Sequence, residues 1–206
     1  MIKGVTESLF PIPVYVSDGY KLESKAKDRL IKETSQNLNP NKFGNKTSAN
    51  HNVLNLPYMS ALKKHLIEQI NHYAYEVLCI TKSVELYITQ SWLNINSSQS
   101  AHHSHHHLNS FVSGTYYLQG STPIVFIHNT QIFQNFDFEL TKQNIFNSNF
   151  CRVPIQEGRC MLFPSVLHHA VDPNEDKEER ISLSFNVFLR GDLRPTEDRL
   201  TSLTLK

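Results

Sequence analysis

Apolar residues recur at helical spacing early in the chain and at alternating positions later. Leu22, Ala26 and Leu30 fall four residues apart, which predicts a helix from Tyr20 to about Gln36, with Asp18 as its cap and Asn39-Pro40 as its stop. Leu62, Leu66, Ile67, Ile70, Ala74, Val77 and Leu78 draw a second stripe, and Lys63, Lys64, Glu68 and Asn71 lie off it. Ahead of both, residues 8–16 (SLFPIPVYV) read as a short edge strand, because Pro11 and Pro13 cannot donate to a ladder. Residues 40–57 read as a polar loop. After Cys79 the pattern turns to strands, at Val84–Ile88, Gln90–Ile95, Phe111–Leu118, Ile124–Ile127, Cys160–Phe163 and Ile181–Phe188. Helices first and strands afterwards predict an α+β layout, a β core with helices packed on one face.

The last strand, RISLSFNVF, separates cleanly into two faces. Ile181, Leu183, Phe185 and Val187 share one, and Arg180, Ser182, Ser184 and Asn186 share the other. Such a polar face meets either bulk water or a cavity holding a polar ligand. The histidine pattern nearby selects the cavity.

Five histidines stand within six positions: His102, His103, His105, His106 and His107. In an extended segment His105 and His107 point to one side and His106 to the other, and two imidazoles on one face make half of a metal site. On the same alternation His102 and His103 precede the strand, so they and His106 are expected to be dispensable loop residues. A second pair, His168-His169, lies in CMLFPSVLHHAVDP, and Arg180 follows it.

Composition narrows the function. Lys plus Arg is 20 against 19 Asp plus Glu, so nothing favours nucleic acid or an anionic membrane as partner. Three widely spaced cysteines suit a reducing compartment, and the chain shows no signal pattern and no long apolar run. A cytoplasmic protein is expected (host cytoplasm if phage-encoded), with residues 1–206 forming one domain. Within it, 1–80 supply an N-terminal strand and supporting helices, 81–190 the core and 191–206 a tail.

A near pair of ligands, a distant histidine and then an arginine is the order found in Fe(II)- and 2-oxoglutarate-dependent oxygenases. The segments LFPIPVY, SWLN, HHHLNSFVSGTYY, EGRCMLFPSVLHHAVDP and ERISLSFN make the resemblance specific. The chain resembles the small 2-oxoglutarate–Fe(II) oxygenases common in marine phages and bacteria. That resemblance implies a double-stranded β-helix, the cupin-like jelly roll, with Fe(II) and 2-oxoglutarate as cofactors. It makes His105 the first iron ligand and His169 the distal one, with His168 at a variable position and Arg180 holding 2-oxoglutarate through a planar fork. Most of the superfamily has Asp or Glu where this chain has His107; the smaller family favours histidine there, which makes His107 the third ligand. No catalytic group beyond the metal ligands is implied.

Ser182 shares a face with Arg180 and could reach the same carboxylate. Asn94 and Tyr116 are further candidates for contacting the 2-oxo acid, and for each a satisfied or packed side chain is the competing reading. Trp92 is expected to be core. Residues 128–150 are long and rich in Asn and Phe, as a lid over the site would be. The expected reaction is hydroxylation of a small-molecule or peptidyl substrate with release of succinate and CO2, and a homodimer stays open. Two other readings compete: a cupin-type three-histidine dioxygenase that uses no 2-oxoglutarate, such as a thiol dioxygenase, and a non-enzymatic metal-stabilised binding module. Arg180 speaks against the first, and open metal positions would speak against the second.

Overall fold

The structure, a computed structural model, describes residues 4–128, 139–193 and 202–206. Strand β1 (Tyr15–Val16) leads to helix α1 (Ser24–Ser35), then to the short strands β2 (Leu38–Pro40) and β3 (Lys46–Ser48). Helix α2 (Ser60–His72) ends in a π-type turn, Tyr73–Val77. Strands β4 (Val84–Asn96), β5 (His102–His105), β6 (Val112–Gln119), β7 (Ile124–Ile127), β8 (Phe150–Val153), β9 (Cys160–Pro164), β10 (His168–Val171), β11 (Arg180–Leu193) and β12 (Leu203–Leu205) follow.

The strands form two antiparallel sheets. The larger runs β1-β9-β6-β11-β4-β3-β2, with β12 also on β11; the smaller runs β5-β10-β7-β8. This is the α+β, double-stranded β-helix layout the sequence implied. The helices cover the outer face of the large sheet, where Leu30, Leu62, Leu66 and Ile70 pack with Leu93, Ile95, Leu183 and Phe185. Each such side chain contributes about 1.5–3 kcal/mol by leaving water. Gly114 belongs to this layer: a Cβ there would stand 2.2 Å from the Phe185 ring, so only glycine lets that ring lie flat on β6. A smaller cluster between the sheets joins Tyr117, Ile124, Phe126, Met161, Phe163 and Leu167.

Several boundaries differ from expectation. Helix α1 begins at Ser24 rather than Tyr20, and no side chain caps it. Residues 8–16 pair only at Tyr15 and Val16, on β9, since the prolines ahead of them lack the donors to extend the strand. The expected polar loop at 40–57 holds β3 and two 3-10 turns. Two predicted strands fuse into β4, because Thr89 forms a bulge between Ile88 and Gln90 opposite Val187 and Asn186. The C-terminal tail returns as β12 on the end of β11. Of the segment expected as a lid, residues 129–138 lie outside the described residues, and its end is strand β8, paired with β7. No helix among the described residues is long and apolar enough to cross a membrane.

Candidate metal and co-substrate site

The inner face of β11 and the facing edge of the small sheet enclose a cavity. Arg180, Ser182 and Ser184 line it with Trp92, Asn94 and Thr115 from one side, and with His102, His105, His107 and His169 from the other. The polar half of RISLSFNVF thus faces a cavity rather than bulk water.

Strand pairing brings the histidines together. His169 on β10 stands opposite His105 on β5. His107 lies just beyond β5, where its backbone N–H donates to the Ser165 carbonyl at 3.0 Å. One ring nitrogen from each of His105, His107 and His169 lies within 4.8 Å of the others. His168 points away from them, against the His106 ring at 4.6 Å.

The three rings are oriented alike. His105 Nδ1 bonds the His103 carbonyl at 2.8 Å, and His169 Nδ1 bonds the Leu167 carbonyl at 3.0 Å. His107 Nδ1 bonds Oδ1 of Asn186, with the Ser113 hydroxyl 3.1 Å away. A carbonyl oxygen only accepts, so each Nδ1 carries the proton and each Nε2 keeps its lone pair for a metal. Burial keeps the rings neutral. It lowers His169 to about 2 and His105 to about 4, helped by neighbouring imidazoles, and it lowers His107 as well. Neutral imidazoles ready to coordinate are what a divalent transition metal requires.

One expectation about this strand is corrected. His102 is not a loop residue ahead of the strand: it is the first residue of β5, and it lines the cavity. Between His169 and Val171 strand β10 advances two residues, while its partner β5 advances three, from His105 to His102. That bulge turns residues three apart onto one face, and the His102 ring stacks on His105 with centroids 4.4 Å apart. His103 also belongs to β5, packed against Phe43, while His106 lies beyond its end.

Arg180 is 2% exposed. Its Nε donates to the Thr122 carbonyl at 3.0 Å and its Nη1 to Ser182 Oγ at 3.3 Å, with the Tyr117 ring centroid 5.4 Å from the guanidinium carbon. Among the described residues the four ion pairs all lie elsewhere, so this cation is buried without a carboxylate. Burial alone pulls its pKa below the usual value. An uncompensated buried charge is costly, so the cavity suits an anion. Asn94 is 4% exposed; its Nδ2 donates to Ser184 Oγ at 2.9 Å, and its Oδ1 has no partner among the described residues. Metal-ready imidazoles and a buried guanidinium without a carboxylate in one cavity fit a metal together with an anionic ligand.

Two further expectations are corrected. Tyr116 does not face the cavity. It pairs with Leu183 of the apolar face, and its hydroxyl donates to the Tyr20 carbonyl at 2.6 Å under the helices. Its neighbour Tyr117, opposite Ser182, turns inward beneath Arg180. Trp92 is half-buried in the cavity wall rather than core, with its ring 5.5 Å from that of His107. Sequence reading did not assign Asn186, which orients His107; its place on the polar face of β11 was the available signal.

Residues 90–186 match the family model described as "Putative 2OG-Fe(II) oxygenase". This stretch is similar to 2OG-Fe(II) oxygenases. Every candidate ligand discussed above lies inside that stretch, and the family's cofactors are Fe(II) and 2-oxoglutarate. Solved structures share the fold at low identity. The 2-oxoglutarate-dependent epimerase SnoN from nogalamycin biosynthesis aligns with a TM-score of 0.59 at 14% identity, over 90% of this chain and 82% of its own. HygX from Streptomyces hygroscopicus, solved with nickel, 2-oxoglutarate and hygromycin B, aligns at 0.58 and 11%, covering 85% and 82%. A prolyl-4-hydroxylase from Pseudomonas putida aligns at 0.52 and 12%, covering 85% and 92%. No curated protein matches the chain.

Proposed function

We propose that this oxygenase is a hydroxylase in which His105, His107 and His169 hold Fe(II) and Arg180 anchors 2-oxoglutarate. The observation that carries the reading is Arg180: a buried guanidinium without an acid, in the same cavity as three imidazoles whose Nε2 atoms are free. Three imidazoles would hold the ion and leave part of its coordination shell open to other ligands. When bound, Fe(II) and 2-oxoglutarate supply oxidative decarboxylation to succinate and CO2, with one oxygen atom left for a C–H bond of the substrate.

The chain's own residues bind, orient and exclude water. Arg180 can present its remaining N–H donors to the far carboxylate as a planar fork. Ser182 fixes that fork by accepting from Nη1, which leaves the serine O–H free to donate to the same ligand. Asn94 is fixed in the cavity wall by its Nδ2, which donates to Ser184 Oγ. The apolar cluster of Tyr117, Phe126, Met161 and Phe163 closes the space between the sheets and keeps the cavity floor dry.

Anaerobic reconstitution with Fe(II), followed by 2-oxoglutarate and oxygen, tests the reading. Succinate release that depends on His169, with a mass gain of one oxygen atom on small-molecule or peptide substrates, is the expected result. A product that loses two hydrogens or inverts a stereocentre without gaining oxygen would overturn the hydroxylase assignment. A wild-type protein that takes up iron and ignores 2-oxoglutarate would overturn the site.

A further inference from the structure

We propose that His102 is a second 2-oxoglutarate-binding group, donating its ring N–H to a carboxylate oxygen of the co-substrate beside Arg180. The inference rests on the reading of the site given above and adds to it a residue that ligand spacing and family pattern leave unassigned.

Four imidazoles face this cavity, and His102 differs from the other three. Those three have Nδ1 fixed by Asn186, the His103 carbonyl or the Leu167 carbonyl. Neither ring nitrogen of His102 has a hydrogen-bond partner among the described residues; its contacts are the stack on His105 and the edge of His103. It also falls outside the set of nitrogens that converge within 4.8 Å. A fourth protein ligand would in any case leave too few positions for a bidentate 2-oxo acid and oxygen. What remains is a donor aimed into the cavity that Arg180, Ser182 and Asn94 also line.

The β5 bulge is what places it there. An unbulged strand would turn His102 away from His105. Bulges beside active sites commonly re-aim one side chain in this way. A neutral imidazole whose ring nitrogens have no partner among the described residues has one N–H to give to a ligand in this cavity. A neutral donor helps hold an anion without adding a further positive charge beside Arg180 and the metal.

The test compares wild type, His102→Phe and His102→Gln in two anaerobic titrations. The first follows Fe(II) binding. The second follows the visible charge-transfer band that forms when 2-oxoglutarate chelates the bound iron. Phenylalanine keeps the stack on His105 and removes the donor, so 2-oxoglutarate should bind roughly ten- to a hundredfold more weakly, with iron affinity within a few-fold of wild type. Glutamine restores an N–H and should recover most of the loss. Unchanged 2-oxoglutarate affinity in His102→Phe overturns the inference while leaving the site reading intact. Parallel loss of iron in both variants overturns it as well, by making His102 a ligand or a packing residue. If wild type itself forms no band, the site reading fails and takes this inference with it.

Discussion

Asn186 and His107 are 79 positions apart in the chain, yet the Asn186 amide oxygen accepts from His107 Nδ1 and so sets which nitrogen His107 offers to the cavity. The Ser113 hydroxyl stands against both residues and bonds onward to Ser165. Unlike the other two candidate ligands, which lean on backbone carbonyls, His107 is oriented by a side chain that can be replaced. Asn186→Ala should weaken Fe(II) binding by about 10–100-fold, the usual loss when a ligand's supporting hydrogen bond is removed. Asn186→Asp, which keeps the acceptor, should retain the metal. Competition against a chelator of known affinity measures both.

Arg180→Gln should weaken 2-oxoglutarate by two to three orders of magnitude. Cutting one partner from a buried charge pair costs about 3–5 kcal/mol, and about 1.4 kcal/mol is a factor of ten. Arg180→Lys should recover only part, because an ammonium cannot form the planar fork. Isothermal titration into anaerobic metal-loaded protein gives the numbers, and equal affinity in Arg180→Gln would place the clamp elsewhere.

Tyr116→Phe should leave 2-oxoglutarate affinity unchanged and lower stability by about 0.5–1.5 kcal/mol, the net value of one hydrogen bond. Its hydroxyl both donates to the Tyr20 carbonyl and accepts from the Leu22 N–H, tying the start of the helical layer to β6. Urea unfolding alongside the binding titration separates the two effects.

Gly114→Ala should destabilise by about 1–3 kcal/mol, the range for overpacking a core. The added methyl meets Phe185 Cζ at 2.2 Å and Leu162 Cδ2 at 2.9 Å. Phe185→Leu in the same chain should recover part of the loss by vacating that space. Full stability of Gly114→Ala alone would mean the Phe185 ring is free to move.

Metal-free protein should lose stability as acid is added. His169, His102 and His105 are held at about 2, about 3 and about 4 when folded. An unfolded histidine titrates near 6.5. Between about pH 6.5 and about pH 4 the unfolded chain therefore binds protons that the folded chain refuses, so stability falls through that window and is flat for these groups above it. Urea midpoints of chelator-treated protein across the window measure the slope. His169→Phe should make it shallower.

Periodicity alone set the layer order and the two faces of β11. Alternation in RISLSFNVF is strict, because Ile181, Leu183, Phe185 and Val187 must meet the helices; Arg180, Ser182, Ser184 and Asn186 then have only the inside to face. Arg180 was legible for the same reason, whereas His169 was singled out over His168 by the resemblance of FPSVLHH to the oxygenase pattern rather than by alternation. The HHSHHH run carries no such contrast. With polar residues on both sides, nothing in it says where an extra residue is inserted, and the bulge that turns His102 into the cavity comes only from pairing β5 with β10. Tyr116 and Tyr117 pose the same problem. Two adjacent tyrosines look alike in sequence, and the register of β6 on β11, which sets Tyr117 opposite Ser182 and Tyr116 opposite Leu183, decides which one turns inward. Asn186 needed both strands in place, since its partner is 79 residues away and no local pattern joins them. Periodicity fixes a face wherever burial enforces it, and register between polar strands is settled only when the sheets pair.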